Sequence, residues 1–154
     1  MSILYLDNED NFYMPNLTFE ITVGRPKPKD YRVVADGMLS YHAKKGHPRK
    51  SEVINIFLKD KYKKVLGAII VTVLWNGMEI NSLWVHESLR GQGWGRKLLE
   101  AAEKEGKIRG CTIAYTNTFT WQAPEFYKKM GYKPYGKLDN FPKGYSLTYF
   151  YKKL

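Results

Sequence analysis

A glycine-rich turn that follows an apolar segment carries the clearest chemical pattern in this chain. Three glycines, Gly91, Gly93 and Gly95, alternate with larger residues soon after a segment, Leu83–Val85, that reads as a strand. A helix is predicted to begin at the turn, so its unpaired N–H groups and the positive end of its dipole point into the turn. Glycine also lets a ligand approach the backbone closely. The pattern therefore predicts a phosphate site built mostly from backbone.

Known phosphate-binding signatures with glycines in a strand–helix turn are separated by their spacing. A Walker loop needs Gly-Lys-Ser/Thr, which occurs nowhere in the chain. A dinucleotide-binding fingerprint needs a glycine three residues after its second one, and that position holds Arg96. The remaining pattern is Arg90-x-x-Gly93-x-Gly95. Arg96 and Lys97 add positive charge around it, and an ordinary surface turn is the alternative reading.

A second pattern lies downstream, after a short predicted strand. It reads Ala-Pro-Glu-Phe-Tyr-Lys-Lys-Met-Gly-Tyr over residues 123–132. It resembles the A-x-x-F/L-Y-x-K-x-G-F/Y signature of the GNAT superfamily of N-acetyltransferases, and Arg90-x-x-Gly93-x-Gly95 resembles the acetyl-CoA motif of the same superfamily. Two motifs in this order, with a strand between them, are far more specific than either alone. The resemblance covers residues 53–154.

The resemblance implies acetyl-CoA as the acyl donor and suggests which residues bind it. Backbone N–H groups from Gln92 to Arg96 would bind the pyrophosphate, and Leu83–Val85 would offer backbone groups to the pantetheine arm. The N–H of Val85 would also polarise the thioester carbonyl. Thr120 stands where many members carry an asparagine that holds this arm. The expected donor-binding residues are Leu83, Trp84, Val85, Arg90, Gly91, Gln92, Gly93, Trp94, Gly95, Arg96, Thr120 and Ala123.

Two side chains are expected to move protons during acetyl transfer. Tyr127 falls on the tyrosine of the second motif, and a phenol with a pKa of about 10 can give its proton to a departing thiolate. Glu79 stands where some members carry a catalytic glutamate, and it is the candidate general base. A core tyrosine and a hairpin carboxylate are the structural alternatives. His86, Glu87 and Asp36 are reserve bases.

The remaining reactive side chains carry weaker signals. Cys111 is the only cysteine, which excludes an internal disulfide. Without a neighbouring histidine it reads as a packing residue and not as a nucleophile. His42, His47 and His86 lack the spacing of metal ligands, so no metal is predicted.

The elements around these motifs predict a mixed α/β fold. Segments that read as strands lie at residues 17–23, 53–58, 65–75, 79–85, 111–115, 132–138 and 145–151. Segments that read as helices lie at residues 28–45, 93–109 and 123–130, and Gly110 and Gly131 would end two of them. Trp94, Leu98, Leu99 and Ala102 form an apolar stripe on the second of these helices. Asn76–Gly77 predicts a hairpin turn with positive φ at both residues. We expect a single domain over residues 1–154, with a mostly antiparallel sheet flanked by helices and one parallel crossover at the glycine turn.

Composition and charge exclude several classes of protein. The 44% hydrophobic and 26% charged content of this 154-residue chain is typical of a globular domain. No apolar run approaches a membrane span, and the N-terminus, with Asp7, Glu9 and Asp10, lacks a signal-peptide pattern, so the cytoplasm is expected. The net charge of +10 would suit nucleic acid as well as phosphate-rich small ligands, but no nucleic-acid-binding motif accompanies it.

The sequence therefore predicts an N-acetyltransferase that moves acetyl from acetyl-CoA to a primary amine by direct attack in a ternary complex. A basic nucleic-acid-binding protein and a non-catalytic acyl-CoA sensor are the alternatives. The segments expected to line the acceptor site, residues 31–49 and 135–145, contain few carboxylates, which disfavours a polycationic acceptor. Aromatic strands near the C-terminus would allow a homodimer.

Overall fold

The computed structural model describes residues 17–154, so the acidic N-terminal segment on which the compartment prediction depends lies outside the described residues. The helices and strands, in chain order, are α1 (Pro28–Lys44), β1 (Ser51–Lys59), β2 (Val65–Leu74), β3 (Gly77–Val85), α2 (Trp94–Ile108), β4 (Ile113–Phe119), α3 (Pro124–Lys129), β5 (Lys133–Asp139) and β6 (Ser146–Lys153). This order confirms the predicted mixed α/β fold.

The strands form a six-stranded sheet in the order β1-β2-β3-β4-β6-β5. Every neighbouring pair is antiparallel except β3 and β4, which run parallel and are connected through α2. The parallel crossover predicted at the glycine turn is therefore confirmed. Two neighbouring parallel strands need a connection that runs back along the sheet, and α2 provides it.

The parallel pairing between β3 and β4 is short. It runs from Gly77 opposite Ile113 to Glu79 opposite Tyr115, and beyond that point the strands separate. On the other side of β3 the ladder with β2 shifts register between Ile70 and Val71, which leaves Asn81 as an extra residue. A bulge of this kind bends its strand and increases the local twist. The result is a wedge-shaped gap inside the sheet.

One face of the sheet packs against α2 and α3. Leu98, Leu99 and Ala102 of α2 are buried in this core, as the predicted apolar stripe requires. Trp94, the first residue of that stripe, is only partly buried, and the Lys97 ammonium lies 4.2 Å from the centroid of its indole ring. Trp94 therefore lies at the border of the core.

The opposite face of the sheet, which we call the open face, is packed far less. Within residues 17–154, α1 buries none of its side chains. Neighbouring residues of β6 show the contrast, because Phe150 is 0% exposed in the core while Tyr149 and Tyr151 on the other face are partly exposed. Alternate residues of a strand face opposite sides, so the two faces differ in burial along every central strand.

Both predicted glycine stops are confirmed, with the geometry of Schellman motifs. Gly110 has a φ of 80°, and the following residue, Cys111, donates its N–H to the Gly106 carbonyl at 2.9 Å. Gly131 has a φ of 84°, and Tyr132 donates in the same way to the Tyr127 carbonyl at 3.0 Å. Cys111 thus belongs to the end of α2, which is why β4 begins at Ile113 and not at the predicted Cys111.

Two local predictions are wrong. Residues 17–23 do not form a strand, and Phe19, Ile21 and Val23 are 91–101% exposed. An alternating pattern becomes a strand only where a sheet edge accepts it, and no described strand pairs with this segment.

The predicted hairpin forms, but its turn lies one residue earlier than expected. Leu74 pairs with Gly77, so the turn residues are Trp75 and Asn76, and Trp75 has the positive φ of 53°. Gly77 is part of β3, where an added Cβ would lie 3.4 Å from Cε1 of Tyr115. Gly77 therefore lies in β3 beside Tyr115, at ordinary van der Waals distance, and does not adopt the positive φ predicted for it.

Candidate active site

The gap between β3 and β4 opens into a cleft of about 1020 Å³ on the packed side of the sheet. Its walls are the second half of β3 with the glycine turn, and β4 with α3. The residues that line it are Ile80, Asn81, Ser82, Leu83, Trp84, Val85, Leu89, Arg90, Gly91, Gly93, Trp94, Gly95, Arg96, Thr116, Asn117, Thr118, Trp121, Gln122, Ala123, Phe126, Tyr127, Lys129 and Met130. Most of the residues expected to bind a donor are thus brought together.

The backbone of β3 presents unused polar groups to this cleft. His86 donates its N–H to the Leu66 carbonyl at 2.8 Å, so this pair belongs to the hydrogen-bonded ladder with β2. Pairing in an antiparallel ladder alternates, so the backbone N–H and C=O groups of Leu83 and Val85 point away from β2 and towards the gap. Arg90 Nε donates to the Val85 carbonyl at 3.1 Å, which fastens the glycine turn to the end of the strand.

The glycine turn depends on backbone conformations that glycine adopts readily. Gly91 and Gly93 have φ values of 74° and 82°, and space is open around the position of a Cβ at both. Gly93 is the N-cap of α2, and the first intrahelical bond runs from the Lys97 N–H to its carbonyl at 3.1 Å. The N–H groups of the first helical turn have no intrahelical acceptor, which leaves them available for the anion that the sequence predicts at this turn.

The third glycine of the turn has a different role. Gly95 lies in the first turn of α2, and an added Cβ would be 3.6 Å from Cε2 of Phe126 on α3. This glycine therefore lies at the contact between the two helices. The neighbouring Gln92 turns its side chain back, donating from Nε2 to the Ser88 carbonyl at 2.9 Å, and Arg96 Nε is paired with Glu100 at 2.7 Å.

Tyr127 lies on the α3 wall of the cleft and is 6% exposed. Its ring centroid is 5.3 Å from that of Phe126, 5.5 Å from Tyr132 and 6.2 Å from Phe150. Burial raises the pKa of the Tyr127 phenol, and a hydrogen bond with the Thr116 hydroxyl lowers it in part. The phenol is therefore protonated at neutral pH, as a proton donor must be.

Thr116 is a cleft residue that sequence reasoning missed. Its hydroxyl donates to the Ile80 carbonyl at 3.1 Å, at the point where the ladder between β3 and β4 ends. The hydroxyl thus replaces a missing backbone bond, and it does so beside the phenol of Tyr127. In the sequence, only a threonine at a core-facing position of β4 points to this role. The place where β3 and β4 separate cannot be predicted from the sequence of either strand.

Thr120 is not brought to the cleft. Its N–H donates to the Ser146 carbonyl at 3.0 Å and its hydroxyl accepts from the Ser146 N–H at 3.4 Å, so it is tied to β6. Thr118 lines the cleft instead, and its hydroxyl accepts the N–H of Ala123 at 3.2 Å. The threonine that can reach a ligand is therefore two residues earlier than the one expected.

Glu79 lies on the open face, at the last pair of the parallel ladder and opposite Tyr115. Burial raises the pKa of the Tyr115 phenol, and the charge of Glu79 raises it further, as does Tyr135. The carboxylate is thus next to the point where the gap begins, although not on the wall of the cleft. Of the reserve bases, His86 is not among the residues that line the cleft and has Nδ1 at 2.8 Å from Ser88 Oγ, and Asp36 is on α1.

The cysteine occupies the kind of position that the sequence predicts for it. Cys111 is buried, and burial raises the pKa of its thiol, which suits a packing residue. Across residues 17–154 no group of three or more His, Cys, Asp and Glu side chains could hold a metal ion. No helix in the described part of the chain is long and apolar enough to cross a membrane.

Comparison with known proteins establishes the class. The family model of the acetyltransferase (GNAT) domain matches residues 52–134, more than half of the chain. An acetyltransferase from Bacillus cereus is 30% identical, with a TM-score of 0.76, and the match covers 87% of this chain and 98% of that one. This chain belongs to the GNAT acetyltransferase family, and the predicted GNAT fold is confirmed.

Two further similarities extend the comparison. The blasticidin-S acetyltransferase of Streptomyces morookaense is 28% identical over 107 residues, which span 69% of this chain and 79% of that protein. The crystal structure of an aminoglycoside 6'-N-acetyltransferase complexed with coenzyme A shares the fold, with a TM-score of 0.58 and 23% identity over 66% of this chain and 73% of that one. The acceptors named for these two proteins differ, so family membership does not fix an acceptor.

Proposed function

We propose that this chain is an acetyl-CoA-dependent N-acetyltransferase that transfers the acetyl group to a primary amine by direct attack in a ternary complex. The observation that carries this proposal is the cleft between the diverging strands β3 and β4. It has backbone groups along one wall, the open N-terminus of a helix at one end, and a protonated buried phenol on the opposite wall.

The cleft residues fit the chemistry of an acyl-CoA donor. The free N–H groups at the start of α2, with Gly93 as N-cap, would bind the pyrophosphate. The outward-facing backbone groups of Leu83 and Val85 would pair with the amides of the pantetheine arm as a neighbouring strand would. The Val85 N–H, expected to polarise the thioester carbonyl, stands six residues along β3 from Glu79, about 20 Å at the rise of a strand, so it would serve the pantetheine arm and not the reacting carbonyl. The solved coenzyme A complex of the aminoglycoside acetyltransferase supports this assignment at the level of the fold.

The reaction breaks the thioester C–S bond and forms an amide C–N bond. An acceptor that arrives as an ammonium must lose one proton before its nitrogen attacks and a second as the amide forms. Glu79 is the proposed acceptor of the first proton, and Tyr127 donates a proton to the departing thiolate. The second amine proton restores the phenol through solvent, so one proton is released for each acetyl group transferred.

Binding and turnover assays separate this proposal from its alternatives. Acetyl-CoA is expected to raise the Tm far more than equal concentrations of ATP or NAD, because it alone fills the whole cleft. Thiol release from acetyl-CoA in the presence of an amine panel then distinguishes an enzyme from an acyl-CoA sensor, which binds without turnover. Tight, steeply salt-dependent RNA binding with no response to acetyl-CoA would favour the nucleic-acid alternative and contradict the proposal.

A further inference from the structure

The open face carries a second, smaller cavity that the donor does not need. This cavity, which we call the tyrosine groove, measures about 480 Å³ and is lined by Ile113, Tyr115, Tyr135 and Tyr151. The ring centroid of Tyr135 lies 5.8 Å from that of Tyr151. Tyr135 is the extra residue of a register shift in β5, between Pro134 and Gly136. Such a bulge can redirect a side chain, here one that is 58% exposed beside the groove.

A single carboxylate stands at the end of this groove. Glu79 pairs with Tyr115 across the parallel ladder, and Tyr115 pairs with Tyr151 across the antiparallel one. Cross-strand partners on one face have neighbouring side chains, so a carboxylate and two phenols form a row across β3, β4 and β6. The effect of Glu79 on the pKa of the Tyr115 phenol is consistent with this proximity.

The row leads directly to the place where the acetyl group would react. Glu79 and Tyr115 are the last paired residues before β3 and β4 part. The next open-face residue of β4, Asn117, is among those that line the donor cleft, as is the bulged Asn81. The gap in the sheet therefore connects the open face with the cleft, and a molecule lying in the groove can present its amine through the gap.

From this geometry we propose that the acceptor is a monoamine with a flat, apolar body, whose ammonium meets Glu79 while its body fills the tyrosine groove. The inference rests on the proposed N-acetyltransferase function and specifies its acceptor class. Glu79 and the ring faces attract one positive charge, whereas Lys133 opposite Tyr151 and Lys153 opposite Ile113 border the groove and would repel a second one. A polycation would place its other charges against apolar surface on a chain that already carries a net charge of +10.

Paired acceptors give the first test. In a thiol-release assay, kcat/KM for 2-phenylethylamine is expected to exceed that for 1,4-diaminobutane by about tenfold or more, because only the aryl amine fills the groove. A preference for the diamine would overturn the acceptor class while leaving the acetyltransferase function intact. No thiol release with any amine would instead contradict the proposed function itself.

Substitutions within the groove give the second test. Tyr135→Ala should lower kcat/KM for 2-phenylethylamine by about tenfold through a higher KM, with the KM for acetyl-CoA unchanged. Tyr135→Arg should lower it further, because it places a positive charge beside the ammonium. Tyr62→Ala, at a 77% exposed tyrosine in the turn between β1 and β2, is the matched control and should behave as wild type.

Two results of the substitution series would overturn the proposal. In the first, Tyr135→Ala and Tyr135→Arg are as active as the Tyr62→Ala control. In the second, the wild-type chain is a dimer that Tyr135→Ala dissociates, since the groove would then be a contact between two copies of this chain. Sedimentation of the wild type and the variants at the assay concentration measures this directly.

Discussion

The two faces of the central sheet are built differently, although the same strands supply both. The packed face is covered by α2 and α3, and its cleft combines the backbone of β3 and the glycine turn with large side chains such as Trp84, Phe126 and Tyr127. The open face carries the tyrosine groove and a single carboxylate beside the gap. Under the proposed function, the donor would be recognised mainly by backbone groups near the core, and the acceptor by side chains on a surface that packing constrains less.

The comparison is tested most severely by truncating neighbouring residues of β6 that face opposite sides. Phe150→Ala, at a residue that is 0% exposed, should lower the free energy of unfolding by about 3–5 kcal/mol, because it leaves a cavity in the core. Tyr149→Ala, on the partly exposed open face, should cost about 1 kcal/mol. Urea unfolding measures both, and equal losses would show that the open face is covered in solution.

The packed face should also hold the group that protonates the leaving thiolate. Tyr127→Phe is expected to lower kcat by about tenfold or more while acetyl-CoA still binds, because only the phenolic proton is removed. The Tyr62→Phe variant is the control. Burial raises the pKa of Tyr127, so the acid stays protonated and kcat should not fall through its titration until the pH exceeds about 10. Unchanged turnover in Tyr127→Phe would remove this residue from the mechanism.

Two glycines at opposite ends of α2 can separate an effect of the glycine turn on acetyl-CoA binding from an effect on stability. Gly93 and Gly110 have φ values of 82° and 80°, with open space around the position of a Cβ at each. An alanine at either position should cost about 1–2 kcal/mol of stability, because an L residue is strained there. Only Gly93→Ala should also weaken acetyl-CoA binding in calorimetric titrations. Equal binding losses would mean that the turn acts through stability alone.

The smallest effect is expected at the third glycine of the turn. In Gly95→Ala the new methyl group would lie 3.6 Å from Phe126, which is an ordinary contact, and helix propensity favours the change. Both the Tm and the affinity for acetyl-CoA should therefore remain close to those of the wild type. A large loss at this position would show that the donor approaches the first turn of α2 more closely than the helix contact implies.

Much of the packed face could be read from local patterns. The glycine turn, the apolar stripe of α2 and the two glycine stops each depend on residues close together in the chain, and the structure confirms all three. Tyr127 was found through a motif contained within one short helix and its flanks. Local hydrogen bonds and backbone conformation determine such features, so a window of about ten residues contains most of the information.

The misplaced predictions share a different cause. Thr120 was named from its spacing along the chain, and its hydrogen bonds to Ser146 tie it to β6 and not to the cleft. Gly77 was assigned to the turn, but it pairs with Leu74 and lies beside Tyr115 of β4. The strand predicted at residues 17–23 has no described partner. Each error concerns a contact between segments that are distant in the sequence.

By itself, the sequence determined that a glycine-rich turn joins a strand to a helix and that a tyrosine follows on a short helix downstream, because these features arise within single segments. Only the tertiary structure decided that β3 and β4 part after Glu79 and that Thr116 bonds to the Ile80 carbonyl there. It also decided that Glu79, Tyr115 and Tyr151 stand in one row. The physical reason is that register between strands is set by pairing and packing across the whole sheet, which no single segment contains.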